Sequence, residues 1–197
     1  MKINKKIIIG IDLDGIFVGK PPIIPASVIN NLYRNSKKRN LAYNTPNSRF
    51  QKTIRRMSHA GILRPVISEN IDWLVREAKN SRYAFFIITG RYSFLQTPTT
   101  NLLAKNGLRS LINTLKMNLN DEQPHLFKER IIKELDIRYM IDDDWFLLNY
   151  LSKKFPRKTF FWYSNSPYFQ NFKIIEKNIP SNLKEIKKLS EISNLIK

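Results

Sequence analysis

Short apolar runs alternate along the chain with segments whose apolar positions recur roughly every three to four residues. That alternation predicts a parallel sheet with helices packed on its faces. Candidate strands cover residues 6–11, 83–88, 110–117, 138–141 and 159–162. Fully apolar runs such as Ala84-Phe85-Phe86-Ile87-Ile88 suit central strands buried on both faces. Between them, residues 69–79 place Ile71, Leu74, Val75 and Ala78 on one helical face. Residues 98–105 predict a helix with proline in its first turn and Asn106-Gly107 as its stop. Residues 124–135 turn Leu126, Phe127, Ile131, Ile132 and Leu135 inward. Residues 145–153 predict a further helix, and the stretch after Pro180 a last short one.

The alternation breaks over residues 19–65, which are rich in Pro, Asn, Arg and Lys. A parallel crossover needs only one helix, so this stretch reads as an insertion, with short helices expected near residues 26–33 and 49–59. Residues 1–18 and 66–197 then make one α/β core, and 19–65 a small inserted unit. A chain of 197 residues can bury a core of that kind.

Composition narrows the chemistry. Hydrophobic residues make up 42% of the chain, which excludes global disorder. There is no cysteine, and hence no disulfide, thiol nucleophile or thiolate-bound zinc. No apolar run approaches the roughly 20 residues that span a bilayer. The early run of isoleucines is interrupted by Asp12 and Asp14 where the apolar region of a signal peptide would continue. A soluble, cytoplasmic protein is the expectation. The formal charge of +18 points to an anionic partner: a nucleotide, nucleic acid or an acidic membrane surface. The basic residues are, however, scattered through the chain, as compositional drift would leave them.

Four clusters carry the candidate chemistry. In Ile7-Ile8-Ile9-Gly10-Ile11-Asp12-Leu13-Asp14-Gly15, two carboxylates at i and i+2 leave the end of a strand on one side. Ligands of open parallel sheets bind beyond the carboxyl ends of the strands. Like charges buried together there need a cation, and magnesium suits hard oxygen donors. The second cluster is Thr89-Gly90-Arg91 after the strand at 83–88, where a hydroxyl and backbone N–H groups can hold a phosphate oxygen. The third is Lys128, in the first turns of a helix, able to neutralise a phosphate and an attacking carboxylate; on spacing alone Lys133 and Lys105 are alternatives. The fourth is Asp142-Asp143-Asp144 at a strand end. One of these three is expected to cap the following helix, which leaves open which two would bind a metal. His59 and His125 lack paired ligand spacing and read as structural or surface residues.

In this order, each at a strand end or helix start, the four clusters resemble the motifs of the haloacid dehalogenase superfamily of phosphohydrolases over about residues 6–162. The resemblance implies a Rossmann-like, three-layer α/β/α parallel sheet with residues 19–65 in the position of a small cap. It also implies a magnesium-dependent phosphatase with an aspartyl-phosphate intermediate: Asp12 as nucleophile, and Asp14 as proton donor and base. Thr89, Gly90 and Lys128 would hold the phosphate, and Asp12, Asp14, Asp142 and Asp143 the Mg2+. The substrate would be a phosphorylated small molecule or nucleotide. The alternatives are a phosphatase of nucleic-acid ends, guided by Arg34, Lys37, Lys38, Arg39, Arg49, Lys52, Arg55 and Arg56 with Tyr33, Tyr43 and Phe50 interleaved, or a non-catalytic binding protein on the same fold.

Overall fold

The computed structural model describes residues 6–19, 41–46, 48–59, 64–166 and 179–196. The expected helix at 26–33, and with it Tyr33, Arg34, Lys37, Lys38 and Arg39, lies outside the described residues.

Six parallel strands form one sheet: β1 (Ile7–Ile11), β2 (Tyr83–Tyr92), β3 (Thr114–Asn118), β4 (Tyr139–Asp142), β5 (Thr159–Tyr163) and β6 (Leu183–Ile186), in the spatial order β3-β2-β1-β4-β5-β6. The first strand is central, with β2 and β4 on either side of it. The helices are α1 (Arg49–Ser58), α2 (Ser68–Glu77), α3 (Gln96–Lys105), α4 (Leu108–Leu111), α5 (Pro124–Glu134) and α6 (Trp145–Lys154). Side chains alternate across the strands, so Ile9, Ile11, Phe85, Ile87, Tyr139 and Ile141 face α2, α3 and α4 in one core. Ile88, Met140, Phe160 and Trp162 face α5 and α6 in the other. This is the three-layer arrangement read from the sequence. Gly10 sits at the narrowest point of the sheet, where a β-carbon would come within 2.7 Å of Ile88 and 2.9 Å of Met140.

Two elements depart from the sequence reading. Residues 108–111 are a helical turn rather than the start of a strand, and β3 begins at Thr114. Gly107, left-handed at φ +67°, ends the preceding helix as Asn106-Gly107 predicts and also opens that turn. The stretch after Pro180 first adds β6 to the sheet edge, and only then makes a 3-10 turn at Leu189–Asn194. Leu-Lys-Glu-Ile is too short and too polar to declare a strand; pairing with β5 forms it.

Residues 17–19 pair with residues 65–67. Val18 bridges both Asp14 and Val66, Gly19 N–H donates to the Pro65 carbonyl at 2.8 Å, and Ile67 N–H to that of Phe17 at 2.9 Å. Within the intervening stretch, α1 starts on a reciprocal cap in which Ser48 and Gln51 each accept from the other's backbone N–H. Residues 41–46 are tied to the core: Tyr43 exchanges backbone hydrogen bonds with the Gln123 amide and donates its hydroxyl to Asp144 at 2.7 Å. Among the described residues no helix is long and apolar enough to cross a membrane.

Candidate active site

The adjacent strands β1 and β4 end side by side, and Asp12 N–H continues their ladder by donating to the Ile141 carbonyl at 2.9 Å. Their carboxyl ends therefore deliver Asp12 and Asp142 to one place. Helix α5, which packs its Phe127, Ile131 and Ile132 into the core, turns Lys128 inward between them. The Lys128 ammonium donates to Asp12 at 2.7 Å and to Asp142 at 2.6 Å, with all three side chains buried. Asp143 completes the group: Asp12, Asp142 and Asp143 each offer a carboxylate oxygen within 4.8 Å of the others. Its carboxylate accepts from Ser166 Oγ at 2.6 Å, and its carbonyl from the Trp162 indole at 3.0 Å.

Asp144 has a different task. It caps α6, accepting from Leu147 N–H at 3.2 Å and from the Tyr43 hydroxyl, while its own N–H donates to Asp142. Of the three successive aspartates, Asp142 and Asp143 face Asp12 and Asp144 starts the helix.

Burial and crowding set the protonation of this group. Burial pushes the Asp12 carboxyl up to about 7; Lys128 opposes the rise, and Asp142 and Asp14 add to it. Burial raises Asp142 and, more strongly, Asp143, whose neighbours Asp142 and Asp12 raise it further. Burial would strip the Lys128 proton, but Asp12 and Asp142 outweigh it and hold the ammonium charged. A carboxyl whose pKa is higher folded than unfolded contributes stability below its unfolded value and loses it as pH rises through the folded one. Without added metal, thermal stability is therefore expected to fall as pH rises from about 4 towards 7, Asp12 titrating at 3.8 unfolded and about 7 folded. His59, held well below its ordinary value by burial and by Arg64 and Arg91, works the other way below pH 6.5, one group against three. Melting curves across this range should show the decline, and Asp12→Asn should make it shallower.

The second carboxylate of the first cluster is clamped. Arg91 holds Asp14 with both Nε and Nη2, at 2.8 and 2.7 Å, and Arg64 pairs with the same carboxylate. Burial would raise Asp14, but the two arginines outweigh it and keep the carboxyl well below the usual range. Arg91 is held in turn by Thr99, and Arg64 by the Ser58 carbonyl and the His59 ring. Among the described residues, the clustered carboxylates of Asp12, Asp14, Asp142 and Asp143 meet the cations of Lys128, Arg64 and Arg91. Three buried carboxylates with no sulfur or imidazole among them are a donor set for a hard cation.

Two glycines bring the pieces together. Gly15, at φ +80°, lays its backbone on the Asp143 carboxylate; a β-carbon there would run into that carboxylate and come within 2.6 Å of Ser166 Oγ. Gly90 lets the end of β2 pack on Pro124, where α5 begins, with a β-carbon only 3.0 Å from that ring. Gly15→Ala is expected to destabilise the protein well beyond Gly107→Ala. Both residues are left-handed, at a cost of about 1–2 kcal/mol for any L side chain, but nothing lies within 4 Å of a β-carbon at Gly107. Comparing their denaturation midpoints isolates the clash with Asp143.

Of the residues singled out from the sequence, Asp12, Lys128, Asp142 and Asp143 come together directly, while Lys133 and Lys105 are exposed. Thr89 is buried one strand away, inside a β2 that runs on to Tyr92 rather than ending before it, and its hydroxyl accepts from Arg91 N–H at 3.3 Å. Arg55 and Tyr43 leave the basic, aromatic guide proposed for nucleic acid: Arg55 is buried, donating to the Asn44 carbonyl at 2.7 Å, and Tyr43 is spent on Asp144. The roles of Arg64, Arg91 and Ser166 escaped the sequence reading. Arg91 had a signal, standing two residues after Thr89 on the same side of a strand; Arg64 and Ser166 had none.

No family model matches the sequence, and neither does any curated protein. Solved structures match over nearly the whole chain. A haloacid dehalogenase-like hydrolase from Xanthomonas campestris superposes with a TM-score of 0.57 over 97% of this chain and 94% of its own, at 15% identity. A haloacid dehalogenase-like hydrolase from Streptococcus pneumoniae gives 0.54 over 96% and 98%, at 11% identity. A haloacid dehalogenase-superfamily hydrolase from Geobacter sulfurreducens gives 0.53 over 98% and 97%, at 12% identity. At such identities the likeness is one of fold, and the chain has the haloacid dehalogenase-like fold.

Proposed function

We propose that this chain, folded as haloacid dehalogenase-type hydrolases are, is a magnesium-dependent phosphomonoester hydrolase working through an aspartyl-phosphate. The observation that carries the proposal is the buried convergence of Asp12, Lys128, Asp142 and Asp143, with Asp14 two residues beyond Asp12. An Asp12 oxygen attacks phosphorus and the ester oxygen leaves, so one difficult displacement becomes two easier ones. Asp14, ionised as the arginines hold it, takes a proton from the water that attacks the aspartyl-phosphate in the second step; to give one to the leaving oxygen in the first step it must be protonated against that hold. The two arginines favour the ionised form that the second step needs, so a substrate whose leaving group departs without a proton is the best first probe. Lys128 neutralises Asp12 as the phosphate dianion approaches and then holds the phosphoryl oxygens with the Thr89 hydroxyl and the Gly90 backbone. Asp12, Asp142, Asp143 and the Asp14 carbonyl would hold Mg2+, which when bound offsets charge on the transferring group.

Residues 19–65 act as a small cap over the site, and the substrate is a phosphate monoester. The test is hydrolysis of p-nitrophenyl phosphate with and without Mg2+. Turnover that needs the metal, and trapped phosphate on Asp12 found by mass spectrometry after an acid quench, is the expected result. A lack of turnover at every divalent ion and pH tried would refute the hydrolase.

A further inference from the structure

We propose that the outer face of α1 is a docking surface for single-stranded nucleic acid whose terminal phosphate enters the site above, an inference that rests on the phosphohydrolase reading. Helix α1 is turned inside out relative to an ordinary surface helix, which buries its apolar stripe. Phe50, Ile54 and Met57, at i, i+4 and i+7, share one face and are 74%, 38% and 61% exposed. The buried side is polar, made of Arg55 and Ser58. Exposed apolar stripes of this kind mark binding sites.

The chemistry around the stripe selects the ligand. The sequence of α1 contains four basic residues and no acidic one. Arg49 and Arg56 are exposed beside the stripe, Arg56 steadied by the Phe94 carbonyl at 3.2 Å, and Lys52 lies 5.9 Å over the Phe94 ring. Apolar rings and side chains interleaved with cations are the two components of a single-strand site: bases stack on the former and phosphates pair with the latter. A second copy of this chain would bring +18 against +18, which opposes self-association through this face.

Position supplies the rest. The C-terminal end of α1 runs into the catalytic network: His59 Nδ1 lies 2.8 Å from the Arg55 carbonyl, and Arg64, bonded to the Ser58 carbonyl, pairs with Asp14. The helix, about 15 Å long, thus has its C-terminal end at the site and is long enough to track about four phosphates even at the ~3.4 Å rise of a stacked strand. A strand laid along it would present its end to Asp12.

Binding is tested on the full chain with fluorescein-labelled oligo(dT) by anisotropy, in EDTA, at several salt concentrations. Loss of a stacked base costs about 1–3 kcal/mol, so Phe50→Ala should weaken binding by roughly 5–150-fold. Arg49→Ala with Arg56→Ala should flatten the salt dependence by about 0.7 per lost phosphate contact. In parallel, kcat/KM on a terminally phosphorylated oligo(dT), divided by that on p-nitrophenyl phosphate in the same variant, should fall about tenfold in Phe50→Ala and in Met57→Ala. Unchanged anisotropy and an unchanged ratio would overturn the proposal. So would binding of these residues to anionic vesicles but not to oligonucleotide, or a sedimentation-detected dimer that Phe50→Ala dissolves. Stripe-dependent oligonucleotide binding without any phosphate hydrolysis would uphold the docking surface and reject the hydrolase.

Discussion

The Asp12→Asn variant is expected to hydrolyse an aryl phosphate at least about 10⁴-fold more slowly than the wild type, the scale seen when a covalent nucleophile is removed. The amide cannot attack phosphorus, yet it disturbs little else. Its oxygen still accepts from Lys128, and the backbone N–H still donates to Ile141. Because Asp12 is one of several carboxylates crowded together and is itself pushed up to about 7 by burial, removing its charge relieves repulsion. The variant should therefore melt no lower than wild type in EDTA at neutral pH, which separates lost chemistry from lost fold. Steady-state rates, melting curves and mass spectra of acid-quenched reactions check the three parts. A rate within tenfold of wild type would show that Asp12 is not the nucleophile.

The opposite pattern is expected of Lys128→Met, which should lose both activity and stability. The side chain is nearly isosteric in reach, so packing against the core survives, but Asp12 and Asp142 lose the cation they share at 2.7 and 2.6 Å. Removing one partner of a buried ion pair typically costs about 3–5 kcal/mol. Protonation of the stranded carboxyls softens that loss, so it should be largest at high pH and smallest near pH 5. Losing the charge that faces the phosphoryl group should cost a further factor on the order of 10²–10³ in kcat. Denaturant titrations at pH 5 and pH 8, read with kcat at each pH, test both effects. Equal midpoints for variant and wild type at pH 8 would mean that the buried pairs are not formed.

The two chemistry-bearing strands were legible because their signals are local. Five consecutive residues of β1 are apolar or glycine before Asp12, and the run ahead of Thr89 is equally plain. From those runs the parallel sheet, the central place of β1 and its flanking by β2 and β4 follow. Lys128 was legible only as one of three lysines, because distance in sequence from Asp142 does not say which lysine reaches the carboxylates; Lys128 is buried between them, and Lys133 and Lys105 are exposed. What sequence could not give is long-range pairing. Arg64 reaches Asp14 across 50 positions and Arg91 across 77, and Ser166 finds Asp143 only because β5 lies beside β4. Arg64 and Ser166, outside helices and strands, have no periodicity to betray their partners. The strand β6 failed for the same reason: an edge strand is defined by its neighbour, and Leu183 and Ile186 alone look like any short amphipathic segment.

The place of β1 in the sheet bears on how the chain is made. It is the first of the six strands to be synthesised, yet its neighbours are β2 and β4, so Ile11 waits for Ile87 on one side and Ile141 on the other. Contacts so distant in sequence form slowly, and an unpaired apolar strand is open to the wrong partner during that delay. Asp12 and Asp14, placed directly after the isoleucines, are the kind of charge that keeps such a segment from stacking on its own kind. The carboxylates around which the site is assembled thus also guard the nascent strand, and replacing either by a neutral residue should raise aggregation during synthesis even where the purified protein is stable.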